Sequence, residues 1–265
     1  MKILMTLLIA VLALTLWTLP GQALTARQIM EKVDARDDGD NMTAVQEMIL
    51  IDKKGHERVR RIESFSKDKG DDTQKLMFFL SPAEVKGTGF LTYDYYSGDK
   101  DDDQWLYLPE LKKVKRIAGS DKSSAFMGSD FSYADMTRRV TGEWEYKLLK
   151  EVEVRGHKCW LIEALPASET IRDRYGYTKS VIFVRQDIFM GVRAVNWVKE
   201  GNKIKYLDMI KVEQIDGIWL GTELTMKTTK NKQTLHKTVM KFFNVKFNQD
   251  LDQKLFTIRT LETGP

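Results

Sequence analysis

The feature that most constrains the fold is a long succession of short apolar runs that alternate with polar residues. In the run 203–213, for example, Ile204 and Tyr206 share a face with Ile210 and Val212, which is the period of a half-buried strand. The runs are joined by short connections rich in Gly, Asn, Asp and Lys, and Asp216 followed by Gly217 is a strong hairpin signal. Connections this short leave no room for helical crossovers, so successive strands should pair antiparallel.

About ten or eleven strands are expected, and a sheet of that size does not stay flat. No proline-rich or low-complexity linker divides the chain, so a single domain is predicted. Before the first strand, Thr25 and Gln28 have the spacing of a capping box, and Ile29, Met30 and Val33 follow on one helical face. The sequence therefore predicts a mainly β (α+β) protein: one strongly curved antiparallel sheet whose concave side is covered by an N-terminal helix and a lid.

The predicted lid follows a hairpin in the stretch 104–136. A strand, 104–108, turns at Pro109 and returns, and a Gly- and Ser-containing break comes next. Large apolar side chains then occur among Gly, Ser and Asp, between the possible hinges Gly119 and Gly128; they are Phe126, Met127, Phe131, Tyr133 and Met136. At helical spacing such residues often simply form core. On a glycine-flanked connection they also fit a short helical lid over an apolar ligand.

The first 23 residues have the features of a signal peptide. Lys2 precedes the apolar run 3–19, and small residues end the segment at Ala23. We expect cleavage after Ala23, which leaves 24–265 as the mature domain in the periplasm; an uncleaved membrane anchor is the alternative. The single cysteine, Cys159, cannot form an internal disulfide and is interpreted as a small buried apolar residue.

Charge and motifs exclude several function classes. The chain has 42 Lys and Arg against 38 Asp and Glu, with the signs interspersed, unlike the concentrated basic field of a nucleic-acid-binding protein. The histidines His56, His157 and His236 have no partner at metal-ligand spacing. The acidic loop 99–103 has calcium-loop spacing to Glu110, but Gln104 stands where that loop requires glycine. No metal and no cofactor are therefore expected.

No catalytic residue is predicted, because no nucleophile elbow, phosphate loop or Cys/His pair occurs in the sequence. Asp130 and Asp135 could form a carboxylate pair, but Ser132 and Asp135 have the spacing of a helix cap, which is the favoured interpretation. A periplasmic hydrolase would need a base beside a nucleophile such as Ser129, so a histidine close to Ser129 is the feature that would support it.

At this point the residues resemble a known family. The order of elements and the stretches Trp105–Pro109, Arg116–Ile117 and Phe126–Tyr133 resemble the LolA-like outer-membrane lipoprotein-sorting proteins, especially their larger periplasmic relatives. A second matching stretch runs from Val181 through Trp197 to Lys203. The resemblance covers nearly all of the mature chain by order and motif.

The resemblance implies an incomplete β-barrel with a hydrophobic cavity for the acyl chains of a lipid or lipoprotein. It also implies a carrier that makes transient contact with membranes, with an RND-type inner-membrane exporter as a partner and no enzymatic activity. Family carriers use an arginine to control the lid; Arg58, Arg60 and Arg61 lie in the corresponding region without a matching motif. A non-enzymatic sensor or scaffold with the same fold and no transported ligand is the alternative.

Cavity and lid positions follow from these considerations. Met77 and Phe79 should form the wall, and Trp105 and Tyr107, which share a face of their strand, should form the rim. The full set of predicted ligand-binding residues is Met77, Phe79, Trp105, Tyr107, Phe126, Met127, Phe131, Tyr133 and Met136.

Overall fold

The structure, a computed structural model, describes residues 23–98 and 100–264. The predicted signal peptide, apart from Ala23, lies outside the described residues. The helices are α1 (Ala26–Asp34), α2 (Glu169–Tyr175) and α3 (Ile258–Thr263). The strands are β1 (Asn41–Asp52), β2 (Glu57–Lys69), β3 (Asp72–Ser81), β4 (Gly89–Asp94), β5 (Asp103–Leu108), β6 (Lys113–Arg116), β7 (Trp144–Val154), β8 (His157–Pro166), β9 (Tyr177–Arg185), β10 (Met190–Val198), β11 (Lys203–Ile215), β12 (Ile218–Lys230) and β13 (Gln233–Phe247).

The described strands form one antiparallel sheet in the order β6-β5-β4-β3-β2-β1-β13-β12-β11-β10-β9-β8-β7. Strands that are adjacent in the sheet are also consecutive in the chain, with one exception. The exception is the pair β1 and β13, which joins the two halves of the sheet. β6 and β7 are not paired to each other, so the sheet is not closed into a barrel. The predicted fold class is confirmed, and the count rises to thirteen because each alternating run forms its own strand.

Helix α1 begins at the predicted capping box. Gln28 N donates to Thr25 Oγ1 at 3.2 Å, and Thr25 N donates to Gln28 Oε1 at 2.9 Å. Ile29 and Met30 then pack into an apolar core on the concave face with Trp144, which is fully buried. Remaining members of this core come mainly from β8 to β10 and from α2. Helix α1 therefore covers the β7–β10 half of the sheet.

The other half of the concave face is covered by residues 119–143, here called the lid. The lid is not a regular helix: it contains four single 3-10 turns, at Gly119–Asp121, Phe126–Gly128, Ala134–Met136 and Thr141–Glu143. Its buried side chains Phe126 and Phe131 pack on the concave residues of β1 to β5, β12 and β13. An irregular segment thus does the work that a helix does on the other half.

The opposite, convex face carries a separate core around α3. Leu261 and Phe256 pack there with Leu76, Phe78 and Leu91, all of them buried. Neither α2 nor α3 is predicted from the sequence, because each is less than two turns long and its apolar residues are too few to show a helical period. Cys159 is buried in a small cluster with Val154, Met190 and Val192.

Within the described part of the chain, no helix has the length and apolar content that crossing a bilayer requires.

Gly89, the first residue of β4, allows α3 to approach the sheet closely. A methyl group at this position would lie 2.6 Å from Leu261 Cδ1 and 3.2 Å from the Leu261 carbonyl oxygen. We expect Gly89→Ala to lower the free energy of unfolding by about 1–3 kcal/mol, because a well-packed core must shift to accept it. Chemical denaturation measures this loss.

The matched control is Gly142→Ala, where a methyl group meets nothing within 4 Å. That variant should stay within about 0.5 kcal/mol of the parent chain. Equal stability of the two variants would contradict the close approach of α3.

Candidate functional site

The lid presents a cluster of aromatic rings to the concave wall. Phe126 is fully buried, and its ring centroid lies 4.9 Å from Phe90 and 6.3 Å from Phe79. Tyr133 packs edge-on against Phe126 at 5.6 Å. These separations are those of favourable aromatic pairs, so the lid is held down by a dense apolar contact.

Seven of the nine predicted ligand-binding residues meet in this contact. Met77 and Phe79 stand on the wall, and the five lid residues pack against it or belong to it; they are Phe126, Met127, Phe131, Tyr133 and Met136. We call these seven residues and Phe90 the lid cluster. The cluster brings together residues from β3, β4 and the lid.

Trp105 and Tyr107 lie elsewhere. Strand β5 directs Leu106 to the lid side, so its alternate residues Trp105 and Tyr107 pack on the convex face, beside α3. Trp105 there meets Tyr93 edge-on at 5.0 Å. The rim prediction is wrong for these two residues because both faces of the β3–β5 region are apolar. The lid packs on one face, and α3, a helix that the sequence does not reveal, packs on the other. The structure therefore does not place these two side chains at the rim of the concave site.

The lid tip is fixed by a buried carboxylate. Asp130, whose side chain is 2% exposed, accepts hydrogen bonds from Thr228 Oγ1 at 2.5 Å and from Thr238 Oγ1 at 2.7 Å. His236 Nδ1 lies 2.7 Å from the Asp130 carboxylate, and the Asp130 backbone N donates to Thr238 Oγ1 at 2.9 Å. The lid is thereby connected to β12 and β13 by polar bonds that the apolar interior strengthens.

An arginine holds the other side of the tip. Arg60 Nη1 donates to the carbonyl oxygen of Met127 at 2.6 Å, and its guanidinium lies 5.9 Å from the centroid of Phe79. Met127 has φ +50°, in the left-handed region that side chains rarely adopt, and Gly128 follows at φ +72°. Burial lowers the pKa of Arg60. The arginine thus bonds to a turn whose backbone is unfavourable on its own.

The end of the lid farther along the chain is tied to the sheet near β3 and β4. Asp94 accepts from the Arg138 backbone N at 2.8 Å and from Lys75 Nζ at 2.6 Å. Gln104 Nε2 donates to the Tyr133 carbonyl oxygen at 2.9 Å. The lid is therefore bonded to the sheet at the tip and at its base.

The alternatives raised for the lid carboxylates are decided by their partners. Ser132 N donates to Asp135 Oδ2 at 2.8 Å and Asp135 N donates to Ser132 Oγ at 3.2 Å, which is the reciprocal cap that the spacing predicts. Tyr177 Oη donates to the same carboxylate at 2.9 Å, and burial followed by Asp135 raises the pKa of Tyr177 well above its usual value.

The hydrolase hypothesis requires a histidine at Ser129, and the described side chains do not form that pair. Ser129 Oγ instead accepts from the Phe131 backbone N at 3.2 Å, while His236 faces Asp130. Within residues 23–98 and 100–264, no group of His, Cys, Asp and Glu could hold a metal ion.

Two openings adjoin the lid on the concave side. An inner cavity of about 260 Å³ lies between the lid and β9 to β12 and is lined by Phe131, Leu207 and Met226 among others. A cleft of about 480 Å³ lies outside it, below α1. Met30, Asp135, Thr137 and Arg139 line both, so only this thin partition of α1 and lid residues separates the inner cavity from the cleft.

The cleft is more polar than the inner cavity, whose lining is mainly apolar but includes Asp135, Arg139 and Arg193. Its lining includes Asp34, Asp68, Arg138 and Arg139, and Arg138 Nε lies 4.0 Å from Asp34 Oδ1. Burial raises the pKa of Asp34, against the opposing effect of Arg138, and burial likewise raises the pKa of Asp68. The concave site thus has an apolar inner part and a polar entrance, which suits a ligand with an apolar chain and a polar end.

Sequence reasoning missed the polar residues that fix the lid. Asp130 and His236 are 106 residues apart in the sequence, so no local pattern indicates that they form a pair. Arg60 is one of three arginines in one strand, and only its contact with Met127 distinguishes it. The capping pattern in the sequence accounts for Asp135 with Ser132. It gives no indication that Asp130 has partners on β12 and β13.

The fold is shared with proteins of the lipoprotein-sorting class. A domain from Vibrio parahaemolyticus that is assigned to the outer membrane lipoprotein-sorting proteins is 29% identical, with a TM-score of 0.80 over 89% of this chain and 98% of that one. A DUF1329 family protein from Desulfovibrio piger has the same identity and TM-score, over 89% and 97%. A LolA superfamily protein from Nitrosomonas europaea is 20% identical, with a TM-score of 0.67 over 89% and 99%, and supports the fold alone.

A family model with the description "Uncharacterized protein" matches residues 71–263. The comparison with curated proteins gave no match. The chain belongs to this family, and its structural neighbours are LolA-like outer-membrane lipoprotein-sorting domains.

Replacing Asp130 should loosen the lid. In Asp130→Ala the hydroxyls of Thr228 and Thr238 lose a buried charged acceptor, a change worth about 1.5–3 kcal/mol. We expect amide hydrogen exchange in 119–136 to accelerate by roughly tenfold or more, while β1 and β2 keep their protection.

The matched control is Asp121→Ala, which removes a carboxylate from the same lid. Among the described residues the one ion pair of Asp121 is with Lys115, at 3.9 Å and with both side chains well exposed, so exchange should change by less than about threefold. An unchanged lid in Asp130→Ala would show that the carboxylate does not fix the tip.

Proposed function

We propose that this protein is an exported, non-enzymatic carrier that binds the acyl chains of a lipid or lipoprotein beneath its lid and shuttles them between the envelope membranes. The proposal includes removal of residues 1–23 as a signal peptide, with cleavage after Ala23, and a periplasmic location for 24–265. Its support is the similarity to lipoprotein-sorting domains together with the architecture of the concave site.

The single observation that carries the proposal is that the concave wall is covered by side chains of an irregular segment. Phe126 and Phe131 fill the space over β1 to β5. The lid backbone forms single 3-10 turns and one β-bridge, between Ala125 and Ser132, and none of the described backbone–backbone hydrogen bonds of 119–136 reaches a strand of the sheet. Segments with few regular hydrogen bonds open at lower free energy than strands. Opening the lid would expose the wall residues Phe79 and Phe90 without unfolding the sheet.

The energetics favour an exchange of one apolar cover for another. Burial contributes about 0.8 kcal/mol per methylene, so a chain of about sixteen carbons contributes roughly 12 kcal/mol before other costs. The apolar side chains of the lid lose their own burial when the lid swings out, which offsets part of this gain. Binding and release can therefore remain close to balance, as a carrier needs, with lid motion on microsecond to millisecond times.

In this proposal the acyl chain replaces the apolar side chains of the lid on the wall and extends into the inner cavity. Met77, Phe79 and Phe90 would form the wall, and the lid residues would close over the chain. The polar end of the ligand would lie toward the charged cleft, near Arg138 and Arg139. Trp105 and Tyr107 are left out of the site because they pack against the convex core.

Arg60 is our candidate for the arginine that controls the lid in this family. It bonds to the lid tip and also lies over Phe79 of the wall, so it contacts both surfaces that must separate. An RND-type exporter remains the proposed inner-membrane partner, on the strength of the family resemblance.

The direct test is to isolate the protein from the cell envelope and identify extracted lipids by mass spectrometry. The proposal expects a lipid or lipoprotein in stoichiometric amount, and saturable binding of a fluorescent fatty acyl probe to the stripped protein. Protein that carries no lipid and does not bind the probe would instead support the sensor or scaffold alternative.

Removing the Arg60 donor should change the kinetics of probe binding. Arg60→Met keeps the apolar stem and loses the bond to Met127, so the lid should open more often. We expect the association and dissociation rates of the acyl probe both to rise by about threefold to tenfold, because the closed lid loses one charge-assisted hydrogen bond. Stopped-flow fluorescence measures both rates.

Arg61→Met is the control, since Arg61 is the exposed neighbour on the same strand. It should leave both rates unchanged. If the two variants behave alike, net charge and not the contact with the lid governs binding.

A further inference from the structure

The charges of this protein are unevenly distributed between the two edges at which its hairpins turn. The turns β1–β2, β3–β4, β5–β6, β10–β11 and β12–β13 all lie along one edge, because successive strands are antiparallel. We call this the basic edge and define it as residues 52–58, 81–89, 108–113, 198–203 and 229–234. These segments contain ten Lys and Arg against five Asp and Glu.

The opposite edge has the reverse balance. Its described turns 67–73, 94–98, 100–103, 154–157, 185–190 and 213–218 contain ten Asp and Glu against five Lys and Arg. The whole chain has a formal charge of only +4, so the overall composition conceals this polarity. A molecule with such a distribution is oriented by a charged surface.

The basic side chains are available to an external partner. Of the ten in the described basic edge, only Lys199 forms an ion pair, with Asp173. All ten are on exposed residues; they are Lys53, Lys54, Arg58, Lys86, Lys112, Lys113, Lys199, Lys203, Lys230 and Lys232. Nine of the ten charges therefore have no ion-pair partner among the described residues.

Two of these lysines occupy backbone positions that a lysine disfavours. Lys112 has φ +46° and Lys232 has φ +64°, in the left-handed region where turns favour Gly or Asn. At both positions a cation is present although a smaller residue would suit the turn better. Stability of the turn therefore does not account for the choice of residue.

Apolar side chains protrude among the cations of this edge. Leu111 is 62% exposed and directly precedes Lys112 and Lys113. Val59 is 47% exposed and directly follows Arg58. Leu80 is 39% exposed and directly precedes the β3–β4 turn, which is the next turn along the edge. Exposed apolar groups interleaved with lysine are the pattern of surfaces that lie at the headgroup boundary of a bilayer. An acidic protein surface would need the cations but not the protruding leucines.

The lid tip is next to this edge. Arg60 and His236, which contact Met127 and Asp130, lie within four residues of the β1–β2 and β12–β13 turns. A surface docked on the basic edge would therefore face the part of the lid that must move.

From this arrangement we infer that the basic edge docks this protein on an anionic lipid bilayer, with Leu111 at the headgroup boundary and the lid tip facing the membrane. The inference rests on the proposed carrier function for its purpose, but docking itself requires no cargo. A vesicle assay without an acyl probe can therefore fail or succeed independently of probe binding in solution.

The experiment is sedimentation of the mature chain with vesicles of phosphatidylcholine, alone or with phosphatidylglycerol in a roughly 1:3 ratio to it. We expect binding to the mixed vesicles only, and loss of that binding as salt is raised, because exposed charges are screened. No binding to the mixed vesicles would overturn the inference and leave an acidic protein as the surface that fits these lysines.

The decisive variant is the double substitution Lys112→Gly and Lys232→Gly. It removes two charges and also relieves two unfavourable turns, so the fold should keep or gain stability while vesicle affinity falls roughly tenfold or more. Lys69→Gln with Lys246→Gln removes two charges from exposed positions away from the basic edge and should bind like the parent chain. Equal affinity of the two double variants would overturn the inference.

Leu111→Ser adds a second readout. It leaves the charge unchanged and should weaken binding most at high salt, where the apolar contribution remains. Wild-type binding by Leu111→Ser at every salt concentration would contradict insertion of this turn.

Discussion

Keeping the concave face of an oversized sheet out of water is the constraint on which the rest of this structure depends. Thirteen strands create more inner apolar surface than one short helix can cover. Helix α1 covers the β7–β10 half, and the lid covers the half formed by β1 to β5, β12 and β13. Because the lid is irregular, its position is specified by side-chain contacts: Phe126 on the wall, Asp130 at the tip and Asp94 at the base.

These contacts combine strong burial with a backbone whose described backbone–backbone hydrogen bonds in 119–136 do not reach the strands. The aromatic cluster resists water, while the Met127 turn is held in an unfavourable conformation by Arg60. A cover of this type can be stable when shut and still separate from the wall without disturbing the strands. The polar partition between the inner cavity and the cleft, which includes Asp135 and Arg139, belongs to the same movable segment.

Strands, hairpins and the first helix could be predicted from the sequence because each is encoded locally. Alternation defines β11 and β13, Asp216-Gly217 defines the turn before β12, and the Thr25–Gln28 pair defines the start of α1. The lid segment could also be located, since its large apolar residues interrupt a polar connection. Five of the predicted site residues are the large apolar residues of this lid segment. The wall residues Met77 and Phe79 could be predicted as a pair because they are alternate residues on one face of β3.

What could not be predicted depends on contacts between distant parts of the chain. Trp105 and Tyr107 share a face, but which face the lid covers is decided by α3, more than 140 residues later. Asp130 acquires its partners from β12 and β13, and Arg60 differs from Arg58 and Arg61 only by what it touches. Alternation in the sequence shows which residues of a strand share a face. Whether that face is the concave or the convex one is decided only when the sheet is assembled.

The buried position of Cys159 has a practical consequence for measuring lid motion. Its side chain is inaccessible, and burial raises the pKa of its thiol, so the reactive thiolate is scarce at neutral pH. A maleimide dye should therefore ignore it in the folded protein. A single new cysteine at the exposed lid residue Ala125 could then be labelled selectively in the otherwise natural chain, making the movement of the cover visible to spectroscopy.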